Sequence, residues 1–308
     1  MRILVGIGAI LTTSMVWTAQ PSLPTRQSGA GVHPPHELDF DFTTRQPIVP
    51  TRVNGGRTVP FVVDTGASIN VIDENVAREV GLTAGDARTL SGGGQISFEA
   101  TLMGPLTLEA GGIMWEAQHA AVGRLGYPET KHFAGLLGAP ILMRYAAQFD
   151  YEKRKLRLFD PAAYTPTVGA VLVPFELQDD LPIVHATVDA GTGPLEARLM
   201  VDTGAGLFVD LNRPFVDANG LLQAIPDSVS TQRPAGLGGT APVIYGIGRR
   251  VTLGGIVFDR PRLGMSQARA GSSSRDERDG IIGNDLLRQF VVTVDYSRRR
   301  VVLERPPR

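Results

Sequence analysis

The 308-residue sequence contains no cysteine. Disulfides, thiolate nucleophiles and cysteine-ligated zinc sites are therefore excluded, but the compartment is not decided, because a core of this size needs no covalent staples. The sequence also lacks an excess of either charge. Its 30 Lys and Arg side chains balance 31 Asp and Glu side chains, for a formal net charge of −1. This balance gives no electrostatic reason to expect nucleic acid or a membrane surface as a partner.

Several catalytic signatures are missing as well. The sequence has no P-loop, no Gly-x-Ser-x-Gly elbow and no HExxH motif. Residues 236–241 match a dinucleotide-binding glycine pattern, but Pro242 follows directly where that site needs a helix. The histidines are scattered without the spacing of metal ligands, so we expect neither a metal nor a cofactor. They are His33, His36, His119, His132 and His185.

The N-terminus has the layout of an export signal. Arg2 precedes an apolar run over residues 3–16, which is short for a membrane span. A polar, proline-containing stretch follows. We therefore predict a signal peptide over residues 1–19 and a polar disordered segment over residues 20–37. The protein is then exported, to the periplasm or the medium.

The cleavage site within this signal stays open. Ala19 suits the position before the cut, whereas Trp17 is bulky for the third position before it. The alternative is an uncleaved N-terminal anchor, and we expect no other stable membrane partner.

Glycine and proline are abundant, with 36 and 22 residues, and they separate short Val/Ile/Leu runs. This pattern predicts a mainly β chain of many short strands. The sequence also repeats itself: residues 38–49 align with residues 173–184 without a gap, and each copy continues into a glycine-containing turn. We predict an N-terminal lobe over residues 38–160, a linker over 161–172 and a C-terminal lobe over 173–308.

Both copies lead to the same motif. Phe61-Val-Val-Asp64-Thr-Gly-Ala67 matches Leu199-Met-Val-Asp202-Thr-Gly-Ala205, and the later segments Gly135-Leu-Leu-Gly138 and Gly280-Ile-Ile-Gly283 also correspond. One Asp-Thr-Gly is a weak signal, but two within a repeat are specific. Over residues 38–304 the arrangement resembles the retropepsin and pepsin superfamily, and its motif sequences look closer to bacterial retropepsin-like proteins than to secreted pepsins. The resemblance implies a bilobal fold of two β-barrel lobes with a cleft between them.

The resemblance also implies an aspartic endopeptidase with Asp64 and Asp202 as its catalytic pair. Two close carboxyl groups share one proton, so one accepts a proton from water while the other donates to the carbonyl oxygen. The pair titrates as a unit, and we assign no separate roles. By the resemblance, neighbouring residues shape the two loops or support them from below. They are Thr65, Gly66, Ala67, Thr203, Gly204, Ala205, Leu136, Leu137, Gly138, Ile281, Ile282 and Gly283.

Two departures from pepsins stand out. Ala67 and Ala205 occupy a position where pepsins often carry a hydroxyl able to bond the adjacent Asp, so we predict a less acidic pair and activity at mildly acidic to neutral pH. Residues 90–98 and 234–242 are flap candidates, but neither contains the tyrosine of pepsins, and the number of working flaps stays open. The glycines suited to such a lid are Gly92, Gly93, Gly94, Gly238 and Gly239.

Other interpretations remain at this stage. A periplasmic peptide-binding or scaffold protein could keep the same fold, although a pure binder has no need of two carboxyl groups that repel each other. Because one chain holds both halves of the pair, a monomer suffices for catalysis. The expected partner is a peptide or protein substrate, whose specificity the sequence does not give.

Overall fold

A computed structural model describes residues 35–82, 86–90, 98–126, 132–225, 227–234 and 239–306. For residues 86–90, 98, 99 and 234 it describes the backbone. These residues belong to one contact unit, His33–Arg308. The other unit, Met1–Val32, lies outside the described residues, and so does the predicted signal peptide.

The described residues form 22 strands. The first ten are β1 His36–Asp39, β2 Ile48–Val53, β3 Thr58–Val63, β4 Asn70–Asp73, β5 Asp86–Leu90, β6 Phe98–Ala110, β7 Ile113–Gly123, β8 Gly135–Leu137, β9 Ala146–Asp150 and β10 Lys155–Phe159. The others are β11 Val171–Gln178, β12 Leu181–Asp189, β13 Pro194–Val201, β14 Val209–Leu211, β15 Val229–Pro234, β16 Thr240–Ile247, β17 Arg250–Leu253, β18 Ile256–Asp259, β19 Arg262–Ser266, β20 Gly280–Ile282, β21 Val291–Asp295 and β22 Arg300–Glu304.

The helices are few and short. They are α1 Glu74–Glu79, α2 Ala139–Leu142, α3 Arg213–Ala218, α4 Leu221–Ala224 and α5 Asn284–Leu287, with one 3-10 turn at Ser272–Ser274. In the part of the chain that the structure describes, no helix has the length and apolar character to cross a membrane. The prediction of a mainly β chain is confirmed.

The first repeat closes into a barrel. Its strands follow the order β2-β3-β8-β4-β7-β6, and β2 also pairs with β6, which completes a ring of six. The β2–β3 turn is built on Asn54 and Gly55, both with positive φ, as the Asn-Gly pattern predicts. Alternate side chains of these strands point inward, so residues such as Val49, Val53 and Phe61 are fully buried.

The second repeat uses the same order with interrupted strands. Its sequence β12-β13-β20-β14-β19-β16 parallels that of the first barrel. Two separate strands, β16 and β17, take the place of the long β6, and β17 pairs with β12 as β6 pairs with β2. The predicted repeat is therefore visible in the strand pairing as well as in the sequence.

Strands from both repeats meet in a shared sheet. Strand β9 pairs with β21, which places Phe149 opposite Val292 and Gln148 opposite Thr293. Strands β10 and β1 extend the sheet on one side and β22 and β11 on the other, so its order is symmetrical. The predicted linker packs onto this sheet, since the Tyr164 hydroxyl donates to Thr293 Oγ1 at 2.9 Å. Strand β11 begins at Val171, two residues before the predicted second lobe.

We expect the shared sheet to be a main source of stability. Leu156 of β10 is 2% exposed, whereas Leu172 of β11 in the same sheet is 48% exposed. Leu156→Ala should lower the free energy of unfolding by about 2–5 kcal/mol, because it removes buried methyl groups and leaves a cavity. Leu172→Ala, the matched control, should cost less than about 1 kcal/mol. Urea denaturation of both variants measures the difference, and equal losses would contradict the assigned packing.

Candidate active site

Each Asp-Thr-Gly loop begins where a barrel strand ends. Strand β3 runs parallel to β8, and the Asp64 N–H donates to the Leu137 carbonyl at 3.0 Å. In the second repeat β13 runs parallel to β20, and the Asp202 N–H donates to the Ile282 carbonyl at 2.9 Å. Both aspartates are thus fixed by the same backbone bond in equivalent places, and both are only partly buried.

The structure brings the two carboxyl groups together. The Gly66 N–H donates to Asp64 Oδ1 at 2.8 Å. A Cβ atom on Gly66 would lie 2.6 Å from Asp202 Cγ, and one on Gly204 would lie 2.5 Å from Asp64 Cγ. Each carboxyl group therefore lies directly over the glycine of the opposite loop. Only glycine leaves room for this approach.

Thr65 and Thr203 join the two loops by reciprocal hydrogen bonds. The N–H of each donates to the Oγ1 of the other, at 3.0 Å in both directions. The Thr65 hydroxyl donates to the Val201 carbonyl and the Thr203 hydroxyl to the Val63 carbonyl, both at 2.7 Å. Both threonines are fully buried. These four bonds hold the carboxyl groups in one geometry without using charge.

The predicted supporting segments lie beneath the loops. A Cβ atom on Gly138 would lie 2.5 Å from the Ala67 carbonyl oxygen, and one on Gly283 would lie 2.5 Å from that of Ala205. The next residues bond the same carbonyls, Ala139 N–H to Ala67 at 2.9 Å and Asn284 N–H to Ala205 at 2.7 Å.

The apolar side chains of these segments divide between two faces. Leu137 and Ile282 enter the main core, whereas Leu136 and Ile281 belong to smaller apolar clusters on the other face of their strands. The predicted site residues in the two loops and their supports are thus brought together.

Asn284 is a supporting residue that the sequence reasoning missed. Its buried side chain donates to the Thr203 carbonyl at 2.6 Å and to the Arg45 carbonyl at 2.8 Å, and accepts from the Tyr151 hydroxyl at 2.9 Å. The counterpart in the first repeat is Ala139, which can make none of these bonds. The sequence does contain a sign of this role, because one copy has an amide side chain at the position where the other has an alanine.

The environment of the pair disfavours negative charge. Burial, followed by repulsion from Asp202, raises the pKa of Asp64 well above its ordinary value. Burial also raises the pKa of Asp202, against the opposing effects of the Gly204 N–H and the nearby Arg278 and Arg233 guanidinium groups. Two carboxyl groups with raised pKa values in direct contact can share one proton at a pH where an isolated Asp is already ionised.

The flap candidates are hairpins where the structure describes them. Strands β5 and β6 pair with Leu90 opposite Phe98, and β15 and β16 pair with Pro234 opposite Thr240. Gly92, Gly93, Gly94 and Gly238 lie outside the described residues, whereas Gly239 has a φ of 88°. Their action as flaps stays a prediction. Among the described side chains, no group of three or more His, Asp or Glu could hold a metal ion.

We expect the threonine bonds to stabilise the whole chain. Thr65→Val keeps the shape of the side chain but leaves the Thr203 N–H and the Val201 carbonyl buried without partners. Each such group costs about 1–3 kcal/mol, so the free energy of unfolding should fall by about 2–6 kcal/mol. Thr65→Ser keeps the hydroxyl and should cost about 1 kcal/mol. Chemical denaturation compares the two, and equal losses would show that the methyl group matters more than the bonds.

The raised pKa values predict a stability that falls as pH rises. The unfolded carboxyl groups titrate near pH 4, and the folded ones titrate higher. Between these values the folded chain binds more protons than the unfolded chain. The stabilisation is therefore complete below about pH 4 and is lost as pH rises through the folded pKa values. Asp64→Asn removes the repulsion, so its free energy of unfolding should fall less than that of the wild type from pH 4 to 7.

Urea denaturation at each pH measures this difference. Asp259→Asn, at a side chain that is 67% exposed, is the matched control and should follow the wild type. Parallel curves for the wild type and Asp64→Asn would contradict the coupling of the two carboxyl groups.

Comparisons with known proteins agree with this geometry. Residues 49–141 match the family model for aspartyl proteases. The crystal structure of an aspartic proteinase from Irpex lacteus superposes with a TM-score of 0.55 at 15% identity, covering 88% of this chain and 97% of that chain. No curated relative matches by sequence. The predicted pepsin-like fold is confirmed, and the match over residues 49–141 confirms the predicted resemblance to retropepsin-like and pepsin-like aspartyl proteases.

Proposed function

We propose that the protein is an aspartic endopeptidase that hydrolyses peptide bonds with water activated by Asp64 and Asp202. One observation carries the proposal. Buried threonine hydrogen bonds join the two loops, so that each partly exposed carboxyl group lies over the glycine of the opposite loop. The family match over residues 49–141 and the shared fold support a peptidase in general. The residue assignment and the cleft between the lobes belong to the proposal.

The chemistry follows from one shared proton. The ionised carboxyl accepts a proton from water as the water oxygen attacks the peptide carbonyl carbon, and the protonated carboxyl donates to the carbonyl oxygen. The tetrahedral intermediate then collapses, the C–N bond breaks, and the leaving nitrogen takes the proton gained from water. Asp202 Oδ1 accepts no hydrogen bond from the described residues, so it has a lone pair available to water.

The pKa of the pair bears on the working range. A pair with raised pKa values keeps its single proton to higher pH than one made acidic by extra hydrogen-bond donors. Ala67 and Ala205 supply no hydroxyl to either carboxyl. Activity is therefore expected at mildly acidic to neutral pH.

Export of the protein belongs to the same proposal. The apolar run after Arg2 and the polar stretch that follows it support a signal peptide or an N-terminal anchor. The substrate is then a peptide or protein in the periplasm or outside the cell, and a monomer carries the complete pair.

Loss of either aspartate should abolish peptide cleavage. We expect Asp64→Asn and Asp202→Asn each to lower kcat/KM by about 100-fold or more, because neither carboxyl can act as acid and base at once. Cleavage of a diverse peptide library by the mature protein from pH 4 to 8, analysed by mass spectrometry, tests this. Asp259→Asn, which removes an exposed carboxylate, should retain activity.

Each outcome has a distinct meaning. Activity that survives either substitution would place the chemistry elsewhere, and a rate that peaks below about pH 3 would contradict the raised pKa values. A folded wild-type protein that cleaves nothing would favour the peptide-binding or scaffold function.

A further inference from the structure

The two repeats differ in the surfaces next to their aspartates. Strand pairing identifies the equivalent positions: Gly135 lies opposite Phe61 in the first repeat, as Gly280 lies opposite Leu199 in the second. Two residues before each glycine stand Phe133 and Arg278. An aromatic side chain in one repeat is thus replaced by a cation in the other.

A second position shows the same change. Val71 pairs with Leu136 in the first repeat, and Asp210 pairs with the equivalent Ile281 in the second. In the first repeat this face is an apolar cluster. Its buried members are Ile48, Val62, Val71, Ala100, Ala121, Leu125, Phe133 and Leu136. Val62 lies two residues before Asp64, so the cluster shares the face of the strand that leads to that carboxyl.

The corresponding face of the second repeat keeps an apolar cluster that includes Met200 and Ile281, but it carries charged side chains where the first repeat has Val71 and Phe133. Asp210 is 4% exposed and pairs with Arg233 of the β15–β16 hairpin at 2.9 Å, where the arginine side chain is 17% exposed. This pair accounts for one negative and one positive charge. Arg278 adds a second positive charge, at the position where the first repeat has the apolar Phe133.

Backbone hydrogen bonds fix the position of Arg278. The Arg278 carbonyl accepts from Asn212 Nδ2 at 2.9 Å, and the next residue, Asp279, donates its N–H to the Arg198 carbonyl at 2.8 Å. The side chain is partly buried. Within the described residues, its guanidinium group makes neither a hydrogen bond nor an ion pair, in contrast to Arg233.

Arg278 also lies within electrostatic range of the proposed catalytic pair. Its charge lowers the pKa of Asp202, and burial lowers the pKa of Arg278 itself, with Asp202 as the main opposing influence. The other charged groups that act on Arg278 are Glu277, Arg275 and Asp179. Asp202 is not a dedicated partner, because the proposed mechanism requires it to share a proton with Asp64.

A partly desolvated guanidinium group without a bonded partner favours an incoming carboxylate. Its planar fork of N–H donors matches the two carboxylate oxygens, and such charge-assisted bonds are stronger than neutral ones. Folding has already removed part of the water around this arginine. Binding of a carboxylate therefore requires less further desolvation than binding at an exposed arginine.

We infer that Arg278 forms a subsite for an acidic substrate side chain, Asp or Glu, next to the scissile bond on the side of the second repeat. This inference rests on the proposed peptidase function and names the class of peptide that the site takes.

Matched peptides test the inference. Members of a library cleaved by the wild type are resynthesised with Glu or Gln at each position around the cut and with amidated C-termini, so that only side chains carry carboxylates. We expect the wild type to prefer Glu over Gln at one position by about 10-fold or more in kcat/KM. Arg278→Gln should lose this preference yet still cleave the Gln peptide, and Arg278→Lys should keep part of it.

The control is Arg249→Gln. Arg249 is exposed in the turn between β16 and β17, so its loss removes one positive charge from the same repeat without touching the site. It should leave the Glu preference unchanged. A preference that Arg278→Gln retains, or that appears only when the C-terminus is a free carboxylate, would overturn the inference while the peptidase function stands.

A binding measurement separates the inference from the peptidase function. Immobilised Asp64→Asn protein is incubated with the same library, and the retained peptides are identified with and without Arg278→Gln. Enrichment of acidic peptides that depends on Arg278 supports the subsite even if the wild type cleaves nothing. Equal retention of acidic and neutral peptides overturns the subsite whether or not cleavage occurs.

Discussion

Two carboxyl groups in contact repel each other as soon as both lose their protons, so the loops that carry them need contacts that do not depend on charge. The reciprocal bonds of Thr65 and Thr203 meet this need, because each joins backbone groups of one repeat to a hydroxyl of the other. They lie fully buried directly behind the aspartates. Much of the remaining structure serves to bring these two short loops face to face.

The shared sheet supplies the second part of that constraint. Strands β9 and β21 join the repeats away from the aspartates, and the main apolar core extends through both repeats. The threonine bonds alone are few, and two barrels linked only there could rotate about them. With a broad sheet as a second connection, the distance between the carboxyl groups is set by the fold.

Much of this arrangement could be predicted from the sequence, because each motif occurs twice in equivalent positions of the repeat. Two Asp-Thr-Gly loops in equivalent contexts predicted equivalent strand ends, and the pairing of β3 with β8 and of β13 with β20 agrees. The shared sheet was not predicted, since nothing in a strand's own pattern states that β9 pairs with β21, more than 140 positions later in the chain. Such long-range pairing depends on tertiary packing.

Residues that differ between the two copies were harder to interpret from the sequence. Asn284 is equivalent to Ala139 in the repeat, and Arg278 is equivalent to Phe133. An alignment of the two copies emphasises the residues that they share, so it says little about these positions. The role of Asn284 emerges only when its neighbours are known, a carbonyl and a tyrosine hydroxyl. The proposed role of Arg278 likewise depends on its partial burial and on the nearby Asp202.

These differences have a physical rationale in a single chain. In a symmetric dimer any change to one copy appears in both, so the two sides of the site must stay alike. A fused repeat is free of that restriction. One copy can keep an apolar surface beside its aspartate while the other places Asp210, Arg233 and Arg278 there. Under the proposed function, the shared residues hold the reacting groups, and the unshared residues distinguish one side of a bound peptide from the other.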